Sequence, residues 1–163
     1  MKPPEEVTVA PTLAAQYATA SGMDPKEISA AMGKAFTALQ DFAGQHKLRS
    51  SAPPRAIYTG YDESGTEFIV AMPITAVPEG VMGSGEVTIG EIPAGKTLRF
   101  VHRGPYPKLM ETYQHITQWM KAEGMIETEA DWAKYMPMWE EYVNNPESTP
   151  ENDLITNIYV PLG

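Results

Sequence analysis

Three stretches of this chain recur in the same order roughly eighty positions further on. Val7-Thr8-Val9 returns as Val87-Thr88-Ile89. The helical stripe Met32, Phe36, Leu39 and Phe42 returns as Leu109, Tyr113, Ile116 and Trp119. Phe68-Ile69-Val70-Ala71-Met72-Pro73-Ile74 returns as Thr156-Asn157-Ile158-Tyr159-Val160-Pro161-Leu162. Small differences in offset are what loops of unequal length produce, so the ordered set predicts a duplicated strand–helix–strand unit. The repeats span about 5–76 and 86–163, with Val77 to Gly85 joining them, inside one domain covering 1–163. A chain of 163 residues has room for two such halves sharing a core and buries roughly 70% of its unfolded surface without staples.

The elements of each half follow from local pattern. Asp24 is a helix cap, Pro25 suits the first helical position and Glu27 stands three residues after the cap. Apolar residues then recur at Ile28, Met32, Phe36, Leu39 and Ala43, with Ala35 and Phe42 widening the stripe. This is the period of an amphipathic helix, which frays near Gly44 to Lys47. A second helix follows Gly104-Pro105-Tyr106-Pro107 with the stripe Leu109, Tyr113, Ile116 and Met120, and stops at Gly124. Alternation and β-branched content place strands at 7–10, 14–20, 55–61, 66–72, 86–92, 96–102, 136–143 and 155–160. Asp62–Gly65 and Asn144–Pro150 read as connections, and Glu127–Tyr135 as a loop with room for one helical turn. One helix covers only part of one sheet face, so the halves must pair to complete a core. The expected fold is α+β with pseudo-twofold symmetry: two helices over a curved antiparallel sheet, and a ligand cleft between the halves.

Charge narrows the partners. Twelve Lys and Arg against 21 Asp and Glu give a net charge of −9. That field repels a phosphate backbone, so no direct nucleic-acid contact is expected, and cationic or neutral ligands are favoured. No apolar run reaches the ~18–20 residues of a membrane helix. The opening Met1-Lys2-Pro3-Pro4-Glu5-Glu6 lacks the apolar core of a signal peptide, which makes the cytoplasm the default compartment. With no cysteine there is neither disulfide nor thiol chemistry.

The stretch Met136-Pro137-Met138-Trp139-Glu140-Glu141-Tyr142-Val143 carries the most chemical information. As a strand it sets Met136, Met138, Glu140 and Tyr142 on one face and Trp139, Glu141 and Val143 on the other. An inward Glu among Met and Tyr is desolvated, which raises its pKa unless a cation or hydrogen bonds compensate. Such a group is either the counter-charge of a cationic ligand or a general base; the alternative is a pair of solvated carboxylates on a rim. Tyr58, Tyr61, Tyr106, Tyr113 and Trp119 supply aromatic faces for stacking and cation–π attraction, unless Tyr113 and Trp119 are simply core. Ten Met residues would give a cleft adaptable walls. His46, His102 and His115 lack metal spacing, and Gly80, Gly83 and Gly85 form no phosphate loop, so no metal or cofactor is expected.

His102-Arg103-Gly104-Pro105-Tyr106, then Leu109, Tyr113 and Trp119, then Glu140-Glu141-Tyr142-Val143-Asn144-Asn145-Pro146, Thr149-Pro150-Glu151 and Leu154–Leu162 together resemble the second half of GyrI-like domains. These effector-binding domains occur in multidrug-sensing and AraC-type transcription regulators. The first half resembles them through its strand–helix pattern and Phe68–Ile74. The resemblance implies a duplicated α+β fold whose aromatic cleft surrounds a buried Glu, which falls on Glu140, two before the motif tyrosine Tyr142. The family's next position is usually apolar, whereas here it is Glu141. The insertion at Glu127–Tyr135, with Trp132 and Tyr135, is placed to cap or fill the cleft.

Three functions follow from that resemblance: binding of aromatic or cationic xenobiotics; hydrolysis, since some stand-alone relatives open cyclopropane rings of DNA-alkylating natural products; and a protein-interaction role toward a partner such as gyrase. Related SOUL proteins are linked to haem, but no His here is placed as an axial ligand. The expectation is a stand-alone binding protein, monomer or homodimer, whose ligand meets Glu140, Tyr142, Tyr58, Tyr106, Trp119, Trp139, Phe68 and Met138. In the hydrolytic alternative Glu140 and Tyr142 are the catalytic pair.

Overall fold

Asp24 opens the first helix through its own side chain. The carboxylate accepts a hydrogen bond of 2.9 Å from the Lys26 amide, Pro25 fills the first position, and helix α1 runs over Pro25–His46. Lys47 closes it in the left-handed conformation (φ 54°), its amide bonded to the Ala43 carbonyl. The computed structural model describes residues 3–22, 24–62, 65–75 and 86–162. Among them are strands β1 (Glu5–Val9), β2 (Thr12–Ser21), β3 (Arg55–Asp62), β4 (Gly65–Pro73), β5 (Val87–Ile92), β6 (Gly95–Arg103), β7 (Met138–Tyr142) and β8 (Ile155–Pro161), with α2 at Leu109–Ala122. The fold is α+β, its strands paired antiparallel, and each strand and helix expected from the sequence is present.

The chain divides into two units, Ala10–Ala94 and Met1–Val9 with Gly95–Gly163. Within the first, the strand order is β3-β4-β2-β5, and α1 packs on β2, β4 and β5. Its core joins Ala15 and Tyr17 of β2, Phe68 and Val70 of β4, and Val87 of β5 to Ala35, Leu39 and Phe42 of α1. The buried stripe of α1 therefore centres on Ala35, Leu39 and Phe42 rather than on Ile28 and Ala43, which are half-buried. Within the second unit the order is β1-β6-β8-β7. Phe100, Ile158 and Val160 of its strands meet Ile116 and Met120 of α2, together with Ile126 and Met138.

Gly124 ends α2 as expected, at φ 72°, a backbone state that costs a side-chain-bearing residue about 1 kcal/mol or more. Two boundaries differ from the sequence pattern. β7 begins at Met138 rather than Met136, since Pro137 has no amide hydrogen for a ladder. The segment before it is more ordered than a loop with one turn: Glu129–Tyr135 forms a 3-10 helix whose capping box pairs Thr128 with Asp131. Asp131 accepts from the amides of Glu127 (2.7 Å) and Thr128 (3.1 Å), which holds its pKa below the ordinary carboxylate value. The joining stretch Val77–Gly85, and Glu63 and Ser64 of the Asp62–Gly65 connection, lie outside the described residues.

Candidate functional site

Strand alternation sorts the two adjacent carboxylates of β7 onto opposite faces. Met138 packs into the core beneath α2, so Glu140 and Tyr142, two and four residues on, share that face. Glu140 is only 3% exposed. Tyr113, projecting from α2, donates its hydroxyl hydrogen to Glu140 Oε2. Tyr142 donates to Oε1 at 2.8 Å, so each carboxylate oxygen has its own phenol donor.

Aromatic rings extend this cluster. Tyr106 sits in a short 3-10 turn, Tyr106–Lys108, just ahead of α2. Its ring meets Tyr142 edge-on, with centroids 5.6 Å apart and planes at 70°. Burial pushes the Tyr106 phenol pKa up, and the negative charge of Glu140 adds to the shift. Further along α2, half-buried Trp119 stands edge-on to Phe100 at 5.6 Å. Glu140, Tyr142, Tyr106 and Tyr113 thus form one constellation, with Met138 and Trp119 in the adjoining core.

Trp139, 1% exposed, is on the opposite face of β7 and stacks on Tyr159 at 5.3 Å with planes 17° apart. Glu141 shares that face and accepts from Asn157 Nδ2 (3.1 Å) and the Tyr159 hydroxyl (3.2 Å). Burial, and then the charge of Glu141, raises the Tyr159 pKa. Tyr58 and Phe68 belong to the Ala10–Ala94 unit, where their rings lie 5.9 Å apart against the α1 core.

Sequence reasoning placed Tyr113 between core and ligand face; its role as a donor to Glu140 was not foreseen. The available signal was its phenol: a tyrosine on a buried helical stripe needs a partner for its hydroxyl. A concavity of about 180 Å³ lies in the Ala10–Ala94 unit between Tyr17, Phe42, Asp41 and Glu86. There Tyr17 donates to Glu86 at 2.6 Å, and this bond, ahead of burial, raises its pKa. No cluster of three or more His, Asp or Glu is arranged to hold a metal among the described residues. None of their helices is long and apolar enough to cross a membrane.

Residues 3–162 match the family model described as the GyrI-like small molecule binding domain. No curated protein sequence matches the chain. Among solved structures, the C-terminal domain of EcmrR superposes with a TM-score of 0.75 at 16% identity, covering 97% of this chain and 95% of that one. SAV2435, solved bound to tetraphenylphosphonium, gives 0.64 at 11% identity, covering 99% and 93%. A hydrolase from Listeria innocua gives 0.56 at 14%, covering 97% and 90%. At these identities the likeness is one of fold.

Proposed function

Because this chain belongs to the family of GyrI-like small-molecule-binding domains, we propose that it binds aromatic or cationic organic compounds at the Glu140 constellation. The observation that carries this reading is the carboxylate of Glu140, 3% exposed, ringed by Tyr113, Tyr142 and Tyr106. The two phenols orient the carboxylate by hydrogen bonds without contributing a positive charge. A buried carboxylate attracts an organic cation, and that attraction is strengthened where water is sparse. The aromatic rings add cation–π and stacking contributions of about 0.5–2 kcal/mol each. That a fold relative was solved with tetraphenylphosphonium supports a delocalised cation as the first probe. Glu140→Gln keeps shape and removes charge, so it should weaken a cationic dye far more than a neutral dye of similar outline. Equal losses for both dyes would reject the reading.

The same carboxylate favours a second reading, hydrolysis. A carboxylate with two adjacent phenols holds both a proton acceptor and proton donors for the addition of one water across a strained ring. Glu140 takes a proton from water, the oxygen bonds to a cyclopropane carbon, and one ring carbon–carbon bond breaks. The freed electron pair moves to the substrate's conjugated carbonyl oxygen, which receives the proton. Incubation with a cyclopropane-bearing alkylating compound should give a product heavier by one water that disappears in Glu140→Ala. Binding without any turnover at high protein concentration excludes this reading.

A further inference from the structure

His102 is 5% exposed and makes no contact with Glu140 among those described, yet its two ring nitrogens join two elements of the constellation. Nε2 lies 3.2 Å from the Pro105 carbonyl oxygen, and Nδ1 lies 2.6 Å from the Thr112 hydroxyl of α2. A carbonyl oxygen can only accept, so Nε2 carries the hydrogen and donates it. In the neutral ring Nδ1 is then the acceptor for the Thr112 hydroxyl. The turn between β6 and α2 is thereby tied to its own strand and to its own helix.

Within that turn the Lys108 amide also reaches the Pro105 carbonyl at 3.0 Å. Gly104 holds φ 128°, and its amide reaches across to the Leu154 carbonyl at 2.8 Å. Tyr106 follows two residues later and sets its ring edge-on against Tyr142, the donor to Glu140 Oε1. The sheet register adds a second connection: His102 pairs with Thr156 and Thr156 pairs with Tyr142, so the three occupy one row on the face beneath α2.

We propose that His102 is a positioning residue for the Glu140 site: by bridging the Pro105 carbonyl and the Thr112 hydroxyl, it fixes the turn that holds Tyr106 against Tyr142. This rests on the reading of Glu140 as a ligand-binding carboxylate, and it adds to that reading how the aromatic wall is held. A histidine serving stability alone would leave Tyr106 and ligand affinity unchanged in any variant that folds.

The test measures two quantities on the full chain: tetraphenylphosphonium affinity by calorimetry, and ionisation of Tyr106 by its ring-carbon NMR signal, assigned by its loss in Tyr106→Phe. His102→Ala should weaken the cation about tenfold and bring Tyr106 ionisation back toward that of an ordinary phenol. His102→Gln, whose amide still reaches the Pro105 carbonyl, should recover to within about threefold. Wild-type values for both quantities in His102→Ala would overturn the proposal. So would weakened binding with unchanged Tyr106 ionisation, since the effect would not then pass through that ring. If His102→Ala does not fold, Thr112→Val, which removes only the hydroxyl, takes its place, and wild-type behaviour in both measurements overturns the proposal. Should the wild-type chain not bind the cation, the binding reading fails, while Tyr106 ionisation still decides the role of His102.

Discussion

Tyr142 donates its hydroxyl hydrogen to Glu140 Oε1 over 2.8 Å, from two positions further along the same strand. A strand presents every second side chain to one face, so donor and acceptor are brought together by the pleat itself. Tyr113 completes the arrangement from α2, taking the other oxygen.

Deleting either hydroxyl leaves one oxygen of a buried carboxylate without that donor. Tyr113→Phe and Tyr142→Phe should each lower stability by about 1–3 kcal/mol. The double variant should differ from the sum of the singles by roughly 0.5 kcal/mol or more, because both act on one carboxylate. Urea unfolding of the four proteins in the cycle measures this, and strict additivity would mean that the two phenols do not share Glu140.

Alkaline stability should be set partly by the buried phenols. Tyr106 and Tyr159 both have pKa values raised above the usual 10.0, so folding favours their neutral forms. The stability they contribute is complete below the unfolded pKa and is lost as pH rises through the folded one. Unfolding midpoints should therefore fall above about pH 10. Tyr159→Phe should show a shallower decline over that range, and an unchanged slope would count against the shift.

Leu39 is 2% exposed at the centre of the α1 stripe. Leu39→Ala should cost about 2–5 kcal/mol. Ile28→Ala, at a half-buried position of the same helix, should cost much less. Comparable losses at the two positions would place the packed face of α1 where the sequence stripe drew it.

Gly124 follows α2 at φ 72°. Gly124→Ala should destabilise by about 1 kcal/mol, and Gly124→Asn by less, since asparagine tolerates this conformation better. Thermal unfolding of the two variants distinguishes them, and equal effects would point to lost packing instead.

Some features were legible because they are local. The cap at Asp24 and the stop at Gly124 depend on residues within a turn of each other, and β5 to β8 could be found by alternation. The start of β7 was misplaced because alternation counts Met136 as a strand residue, while the proline beside it cannot donate to a ladder. The 3-10 helix at Glu129–Tyr135 was missed because Asp131 stabilises it by reaching back to two amides, a contact without apolar periodicity.

The sequence by itself determined the element order, and that Glu140 and Glu141 must occupy opposite faces, since side-chain direction along a strand is a matter of parity. Which face lies beneath α2 was decided only by tertiary packing. Burial of Met138 with Ile116 and Met120 turns that face toward the helix. It also brings Tyr113, 27 positions away in the chain, onto the carboxylate. The partners of His102 belong to the same category: a histidine beside a glycine turn reads as punctuation until the helix that follows folds back and delivers Thr112. Hydrogen bonds between separate elements depend on how those elements dock, and no local pattern records that.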